Sequence, residues 1–199
     1  MDTRTLSAYD LDAHAFATDW ESQPAATDMQ AVVKRFFKPG PTADIGCGSG
    51  RDTAWLSHAG LPTIGYDPSE GLLAEARRLH PKVRFHRSSL PELHGIANAS
   101  LANVLCETVI MHLRPALIAP SVQKLMAILR PRGTLYLSWR VTEGTDKRDE
   151  FGRLYSAFDP AVVSQALGTA DVLLDEQSTS ASSGKLIRRI VARKAAAKV

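Results

Sequence analysis

Seven consecutive residues, Asp44-Ile45-Gly46-Cys47-Gly48-Ser49-Gly50, place three glycines at alternate positions directly behind an acid. Glycine has no Cβ, so such a loop turns sharply and lets a ligand come against the backbone. Spacing narrows the choice of ligand. Counted from Gly46, the dinucleotide fingerprint G-x-G-x-x-G puts Arg51 where its third glycine or alanine belongs. An acid ahead of the first glycine also sits poorly beside a pyrophosphate, whereas it suits a ligand bearing an ammonium and a sulfonium group. Farther along the chain, His112 can take a proton, and Arg140 can pair with an anionic substrate or with nearby Glu143.

The elements that must position these residues follow a regular order. Leu6, Tyr9, Phe16 and Trp20, then Met29, Val32, Val33, Phe36 and Phe37, recur at helical spacing over residues 6–37, until Pro39-Gly40-Pro41 stops the pattern. Residues 42–47 read as a strand and 51–59 as a helix closed by Gly60. Residues 62–67 read as a second strand, leading through the N-cap Ser69 into a helix carrying Leu72, Leu73, Ala76 and Leu79. Strands are predicted at 83–86, 101–107 and 133–139, with a helix through Val122, Leu125, Met126 and Leu129 that Pro120 breaks or begins. Residues 146–150, with Phe151 and Tyr155, read as a charged loop and short helix over the site, most charges solvated. Asp159 caps a helix to Leu167, and strands at 170–178 and 186–194 close the chain as a hairpin.

Alternating strands and helices require a mostly parallel sheet covered on both faces, here made mixed by the closing hairpin. Ligands of such sheets bind at the carboxyl ends of the strands near the topological switch point, where the glycine loop falls. With 44% hydrophobic and 23% charged residues, the composition excludes a disordered or collagen-like chain. Cys47 and Cys106 stand far apart without Cys/His partners, so no metal site is expected. The remaining histidines, His14, His58, His80, His86 and His94, are scattered without ligand spacing. No basic segment followed by an apolar run opens the sequence, and no membrane span is predicted, so a cytoplasmic location is expected. The net charge of +3 is uneven: Lys185, Arg188, Arg189, Arg193, Lys194 and Lys198 crowd the last stretch and read as a solvated end.

The segment ADIGCGSGRDTAWLSHAG resembles the first motif of class I S-adenosylmethionine-dependent methyltransferases, and later segments match that family in order over most of residues 40–140. The resemblance implies a Rossmann-like α/β fold with a mixed seven-stranded sheet. It divides the chain, as one domain over 1–199, into an N-terminal helical cap (1–38) and a Rossmann-like core (40–199). It implies S-adenosylmethionine as cofactor, with S-adenosylhomocysteine as product. Asp44, Gly46, Cys47, Gly48 and Gly50 would form the cofactor loop, and Asp67, in IGYDPS with Pro68, would hold both ribose hydroxyls. Ser88, Ser89 and Leu90 fall where the family contacts adenine, although an Asp is commoner at Ser89. NVLCETVIMHLRP resembles the fourth motif and puts Glu107 beside the cofactor and His112 in the following loop; the Asp frequent near Ala102 is absent.

For the substrate, the candidates are Tyr9, Trp20, His112, Trp139 and Arg140. Tyr9, Phe16 and Trp20 either form a lid over the sulfonium or pack a helix down. His112 is the candidate base, with a structural bond to a loop carbonyl as the alternative. Cys106 lacks the preceding proline of the cytosine C5 enzymes, and no Asn/Asp-Pro-Pro-aromatic signature follows this strand, which speaks against nucleobase chemistry. The expected function is methyl transfer to a small-molecule acceptor, without nucleic acid or membrane. The alternatives are an RNA or protein methyltransferase docking through the basic end, and a non-catalytic protein holding S-adenosylmethionine or NAD.

Overall fold

A computed structural model describes residues 1–196. Three helices lead: α1 (Thr3–Leu11), α2 (Ala13–Ser22) and α3 (Thr27–Phe36). The first predicted stretch is thus two helices, because Asp12, at φ −113°, leaves the helical basin between them. Asp2 caps α1 by accepting from the Thr5 amide at 3.0 Å. The alternating core follows as β1 (Thr42–Ile45), α4 (Arg51–His58), β2 (Thr63–Asp67), α5 (Glu70–Leu79), β3 (Arg84–Arg87) and β4 (Leu101–Cys106). Ser69 caps α5 through the Leu72 amide at 3.1 Å. A single 3-10 turn, Ile110–His112, then leads to α6 (Pro115–Ile128), β5 (Leu129–Arg140), β6 (Lys147–Arg148), β7 (Leu154–Tyr155), α7 (Ala161–Ala166), β8 (Asp171–Thr179) and β9 (Leu186–Arg193).

Seven strands form one sheet in the order β3-β2-β1-β4-β5-β9-β8. Neighbours from β3 to β5 are parallel, and β9 pairs antiparallel with both β5 and β8. The central strands are buried on both faces. Val104 and Cys106 of β4, with Leu135, Leu137 and Trp139 of β5, face the core under α6 and α7. Leu105 and Tyr136 face Met29 and Val33 of α3 and Leu56 of α4. The chain reverses direction across the sheet between β1 and β4, and their carboxyl ends open the crevice where this architecture binds ligands. Among the described residues, no helix is long and apolar enough to cross a membrane.

Three expectations need correction. Pro120 lies inside α6, which Pro115 begins; the carbonyl that loses its partner belongs to exposed Ala116, where water can satisfy it. Residues 146–155 form the two-stranded β6–β7 ribbon instead of a loop and helix, turned by Gly152 at φ +84°. Three of its charges are paired: Arg148 binds Asp2 through both terminal guanidinium nitrogens at 2.9 and 3.0 Å, and Arg153 binds Asp149 at 2.6 Å, while Asp146, Lys147 and Glu150 are exposed.

The basic stretch is likewise not a solvated end. Arg189, 2% exposed, donates to the Tyr136 hydroxyl at 2.7 Å, to Glu176 at 3.0 Å and to Asp28 of α3. Arg188 pairs with Asp175, and the Lys194 ammonium donates to the Ala127 and Leu129 carbonyls. Arg188 and Arg189 belong to β9 and Lys194 follows it directly, so the sheet turns them toward partners that a linear charge count does not see. Lys198 lies outside the described residues.

Arg189 fastens α3 to the sheet, and its loss would leave Asp28 and the Tyr136 hydroxyl without their donor. Arg189→Met is expected to lower the urea midpoint by a stability of about 1.5–3 kcal/mol with an unchanged slope. An unaltered midpoint would remove the fastening role.

Candidate active site

The glycine loop leaves β1 in the left-handed region, with Gly46 at φ +76° and Gly48 at φ +53°. A Cβ on Gly46 would lie 2.3 Å from Val109 Cγ2, and one on Gly48 would lie 2.7 Å from the Trp20 ring. Both positions therefore require glycine for close approach as well as for backbone conformation. The Gly46 and Cys47 amides donate to the Tyr66 carbonyl at 2.7 and 3.1 Å. Asp67, at the end of β2, accepts from the Gly48 amide at 3.0 Å on one oxygen and from the Ser69 amide at 2.9 Å on the other. Each carboxylate oxygen retains a lone pair for a further donor.

The loop borders a cavity of about 160 Å³. One wall is acidic, with Asp52, Asp67 and Glu107. Burial pushes the Asp67 carboxyl up to about 6 against the pull of its two amide donors. It raises Glu107 to about 7, although Glu107 accepts from the Ser138 hydroxyl at 2.6 Å. Asp52 is raised too, by burial first and despite Arg51. Asp67 and Glu107, whose anions burial disfavours, form with Asp52, which lies 3.6 Å from the Arg51 guanidinium, a wall suited to a cationic ligand. Asp44 lies deeper, off the cavity wall, accepting from Thr53 at 2.6 Å and raised to about 8 by burial.

The opposite wall is basic and aromatic, with Tyr9, His112, Arg140, Arg153 and Tyr155. His112 Nδ1 lies 2.6 Å from the Leu154 carbonyl, which only accepts, so this nitrogen carries the proton. Nε2 is then the acceptor for the Tyr9 hydroxyl at 3.0 Å. Burial depresses the His112 imidazole to about 4, so it is neutral at physiological pH. The Arg153 guanidinium stacks 4.7 Å from the Phe16 centroid and 5.4 Å from that of Tyr9. Arg140 donates weakly to the Tyr155 hydroxyl at 3.4 Å.

The sequence candidates thus separate in space. Gly46, Cys47, Gly48, Asp67 and Glu107 line the cavity with Tyr9, Trp20, His112 and Arg140. Gly50 instead caps α4, and Phe85 fills the space where its Cβ would lie. Pro68, Ser88, Ser89 and Leu90 lie off the wall. The Ser88 hydroxyl donates to the His94 carbonyl, and the Leu90 carbonyl lies 3.4 Å from the Met1 amino group. Trp139 faces away, packing on Phe158 in a second cavity of about 210 Å³. Tyr9 and Trp20 both line the cavity and pack: Tyr9, Phe16 and Leu72 form one apolar cluster with Trp20 against it.

Sequence reasoning missed Asp52, Arg153 and Thr108. Arg153 sits in a charge run whose pairing is visible only in three dimensions. Thr108, a cavity residue at φ +53°, is strained for a β-branched side chain, and its amide is held by the Ser138 hydroxyl at 3.0 Å.

The profile of the methyltransferase-domain family matches residues 43–133, from β1 into the start of β5. A trans-aconitate 2-methyltransferase of Rhizobium meliloti is 29% identical over 155 residues, covering 75% of this chain and 57% of that protein. Its namesake from Methylobacterium nodulans is 33% identical over 91 residues, covering 45% and 34%. The chain therefore spans only about a third to just over half of the length of these relatives. Among solved structures, the 1,6-didemethyltoxoflavin-N1-methyltransferase of Burkholderia thailandensis superposes with a TM-score of 0.75 at 22% identity, covering 96% of this chain and 88% of that one. That structure holds 1,6-didemethyltoxoflavin and S-adenosylhomocysteine.

Asp44 gives the site a pH signature. Its carboxyl ionises near its ordinary 3.8 in the unfolded chain but stays protonated to about 8 in the fold. The folded state binds more protons between those values, so this group's contribution to stability falls as pH rises from about 4 to about 8. Asp44→Asn removes the titration. Denaturation at pH 5 and pH 8 is expected to show the variant gaining on the parent at the higher pH; equal differences at both would contradict the burial assignment.

Proposed function

We propose that the chain is a class I S-adenosylmethionine-dependent methyltransferase, as the match of residues 43–133 to the methyltransferase-domain family supports, transferring a methyl group from S-adenosylmethionine to a small-molecule acceptor. The observation that carries this reading is the acidic wall of Asp52, Asp67 and Glu107 beside the glycine loop. A cation placed there compensates carboxyls that burial alone disfavours, whereas the pyrophosphate of NAD would add like charge. When bound, S-adenosylmethionine supplies the sulfonium-activated methyl group.

The chain's own residues do the rest. Asp67 offers two lone pairs to a ribose diol, with its oxygens already oriented by the Gly48 and Ser69 amides. The loop backbone admits the amino-acid portion where a Cβ would obstruct it, and Asp52 and Glu107 face its positive charge. Ser88, Ser89 and Leu90, with Pro68, would form the adenine side. Tyr9 and Trp20 screen the cavity from water, the setting in which alignment of two reactants is most effective.

A small acceptor suits a cavity of about 160 Å³. Relatives named for trans-aconitate and a structural neighbour holding 1,6-didemethyltoxoflavin support the same class. RNA docking through the basic stretch is disfavoured because Arg188, Arg189 and Lys194 are spent on internal partners. We place the enzyme in the cytoplasm.

Calorimetry of S-adenosylmethionine binding tests the assignment. Asp67→Asn is expected to weaken affinity at least tenfold, and the melting temperature should fall as well, because one of the Gly48 and Ser69 amides loses its charged acceptor. Unchanged affinity would refute the ribose role. In the parent protein, binding near pH 6 should release protons from Asp67 and Glu107, because a cationic ligand favours their ionised forms. The measured heat should then vary with the buffer's ionisation enthalpy; heat independent of buffer would argue against a cation meeting the acidic wall.

A further inference from the structure

We propose that Glu107 is the catalytic base of this site and that the acceptor is a phenol, whose proton Glu107 removes and whose developing oxyanion Arg140 receives. The inference rests on the cofactor assignment above and adds the acceptor's chemistry.

Glu107 follows β4 directly, and its carboxylate accepts from the Ser138 hydroxyl of β5 at 2.6 Å. Ser138 and Arg140 stand two residues apart on that strand, so both side chains leave the same face of the sheet at its carboxyl end. Acid and guanidinium therefore line one cavity from neighbouring strands. Arg140 Nε is shut from solvent and has no hydrogen-bond partner. Among the described residues Arg140 pairs with no acid, and its one side-chain contact is the long bond to Tyr155. A buried donor left in this way is costly unless a ligand supplies the acceptor. The rings of Tyr9, Trp20, His112 and Tyr155 line the same cavity, a setting suited to a planar ring.

Glu107 is also held from behind. The Tyr136 hydroxyl accepts from Arg189 Nε at 2.7 Å, which leaves its own proton for Glu107. Ser138, Tyr136 and the charge of Arg189 favour the Glu107 anion, while burial, Asp52 of α4 and Asp44 of β1 oppose it. The resulting carboxyl, raised to about 7, is matched to taking a proton at neutral pH. His112 does not compete, because its Nδ1 proton goes to the Leu154 carbonyl and its Nε2 lone pair is taken by the Tyr9 hydroxyl.

An acceptor that arrives as an anion has no proton to give and meets Glu107 as like charge, and an aliphatic ammonium meets Arg140 and Arg153 in the same way. A phenol arrives neutral. Glu107 takes its hydroxyl proton while an oxygen lone pair forms the bond to the methyl carbon and the electrons of the carbon–sulfur bond pass to sulfur. The products are an aryl methyl ether, S-adenosylhomocysteine and a protonated Glu107. The sulfonium charge disappears in the same step, so the carboxylate becomes a stronger base as the proton reaches it.

The test incubates the protein with methyl-labelled S-adenosylmethionine and one of three acceptor mixtures: catechol, para-nitrophenol and naphthol; succinate and fumarate; or small aliphatic amines. Label stable to mild alkali is expected from the phenols alone. With the phenol used best, Glu107→Gln should cut kcat at saturating S-adenosylmethionine at least a hundredfold and abolish the fall in rate toward acid pH, with S-adenosylhomocysteine still bound by calorimetry. Tyr136→Phe removes one donor to the Glu107 anion, so that acid limb should move to higher pH, with kcat recovered there. Arg140→Gln should lower kcat at least tenfold, with Arg140→Lys intermediate. A Glu107→Gln loss confined to cofactor affinity, with kcat restored at saturation, would overturn the base. An acid limb unmoved in Tyr136→Phe would do the same. Label from the carboxylates or the amines, or none from the phenols while S-adenosylmethionine binds, would overturn the acceptor class. Failure to bind S-adenosylmethionine would overturn the function beneath it.

Discussion

The Asp67 carboxylate joins three parts of the molecule: the glycine loop, the end of β2 and the entrance to α5. One oxygen holds the Gly48 amide at the crown of the glycine loop, and the other holds the Ser69 amide at the entrance to α5. The side chain itself projects from the carboxyl end of β2, whose Tyr66 carbonyl takes the amides of Gly46 and Cys47. Loop, strand and helix are thus tied within a few bonds of one buried acid. Those bonds oppose the desolvation of a carboxylate that is only 5% exposed, and they leave it poised on the cavity with unused acceptor capacity. Every residue proposed for the cofactor is positioned relative to this tie.

The opposite wall is assembled differently. Tyr9 comes from the first helix, His112 from the 3-10 turn, Arg140 from the end of β5, and Arg153 and Tyr155 from the β6–β7 ribbon. What brings them together is a second set of links. The ribbon's Arg148 grips Asp2, the Leu154 amide donates to the Thr5 hydroxyl, and Tyr9 reaches His112. Asp10 fastens the same leading helix to Ser69 and Gly71 of the cofactor side. The leading helix therefore touches both walls, which lets one element close the cavity over a cofactor and align an acceptor against it.

This division explains what the sequence could disclose. The loop and Asp67 were legible because local rules govern them: left-handed turns demand glycine, strand and helix periodicities differ, and an acid at a strand's end has a readable neighbourhood. The mostly parallel sheet with its closing hairpin followed from the alternation of elements, while the order of its strands came from the fold. The basic wall was not legible because its residues lie in short elements, β6 and β7 being two residues each, where periodicity carries no signal. Arg148, Asp149 and Arg153 look like solvated charges until Asp2 and Tyr9 arrive from more than a hundred residues away. Arg189 and Lys194 misled for the same reason, since burial within a sheet is decided by partners in space. Arg140 could be named as a candidate, but only the fold shows that Glu143 leaves it free.

The most direct test of the account is a crystal structure of the protein with S-adenosylhomocysteine bound. The ribose hydroxyls should lie within hydrogen-bond distance of both Asp67 oxygens, with the amino-acid portion against Gly46 and Gly48 and the sulfur directed toward the wall of His112 and Arg140. A ribose bound elsewhere, or a sulfur turned away from that wall, would contradict the two-walled arrangement on which the proposed function rests.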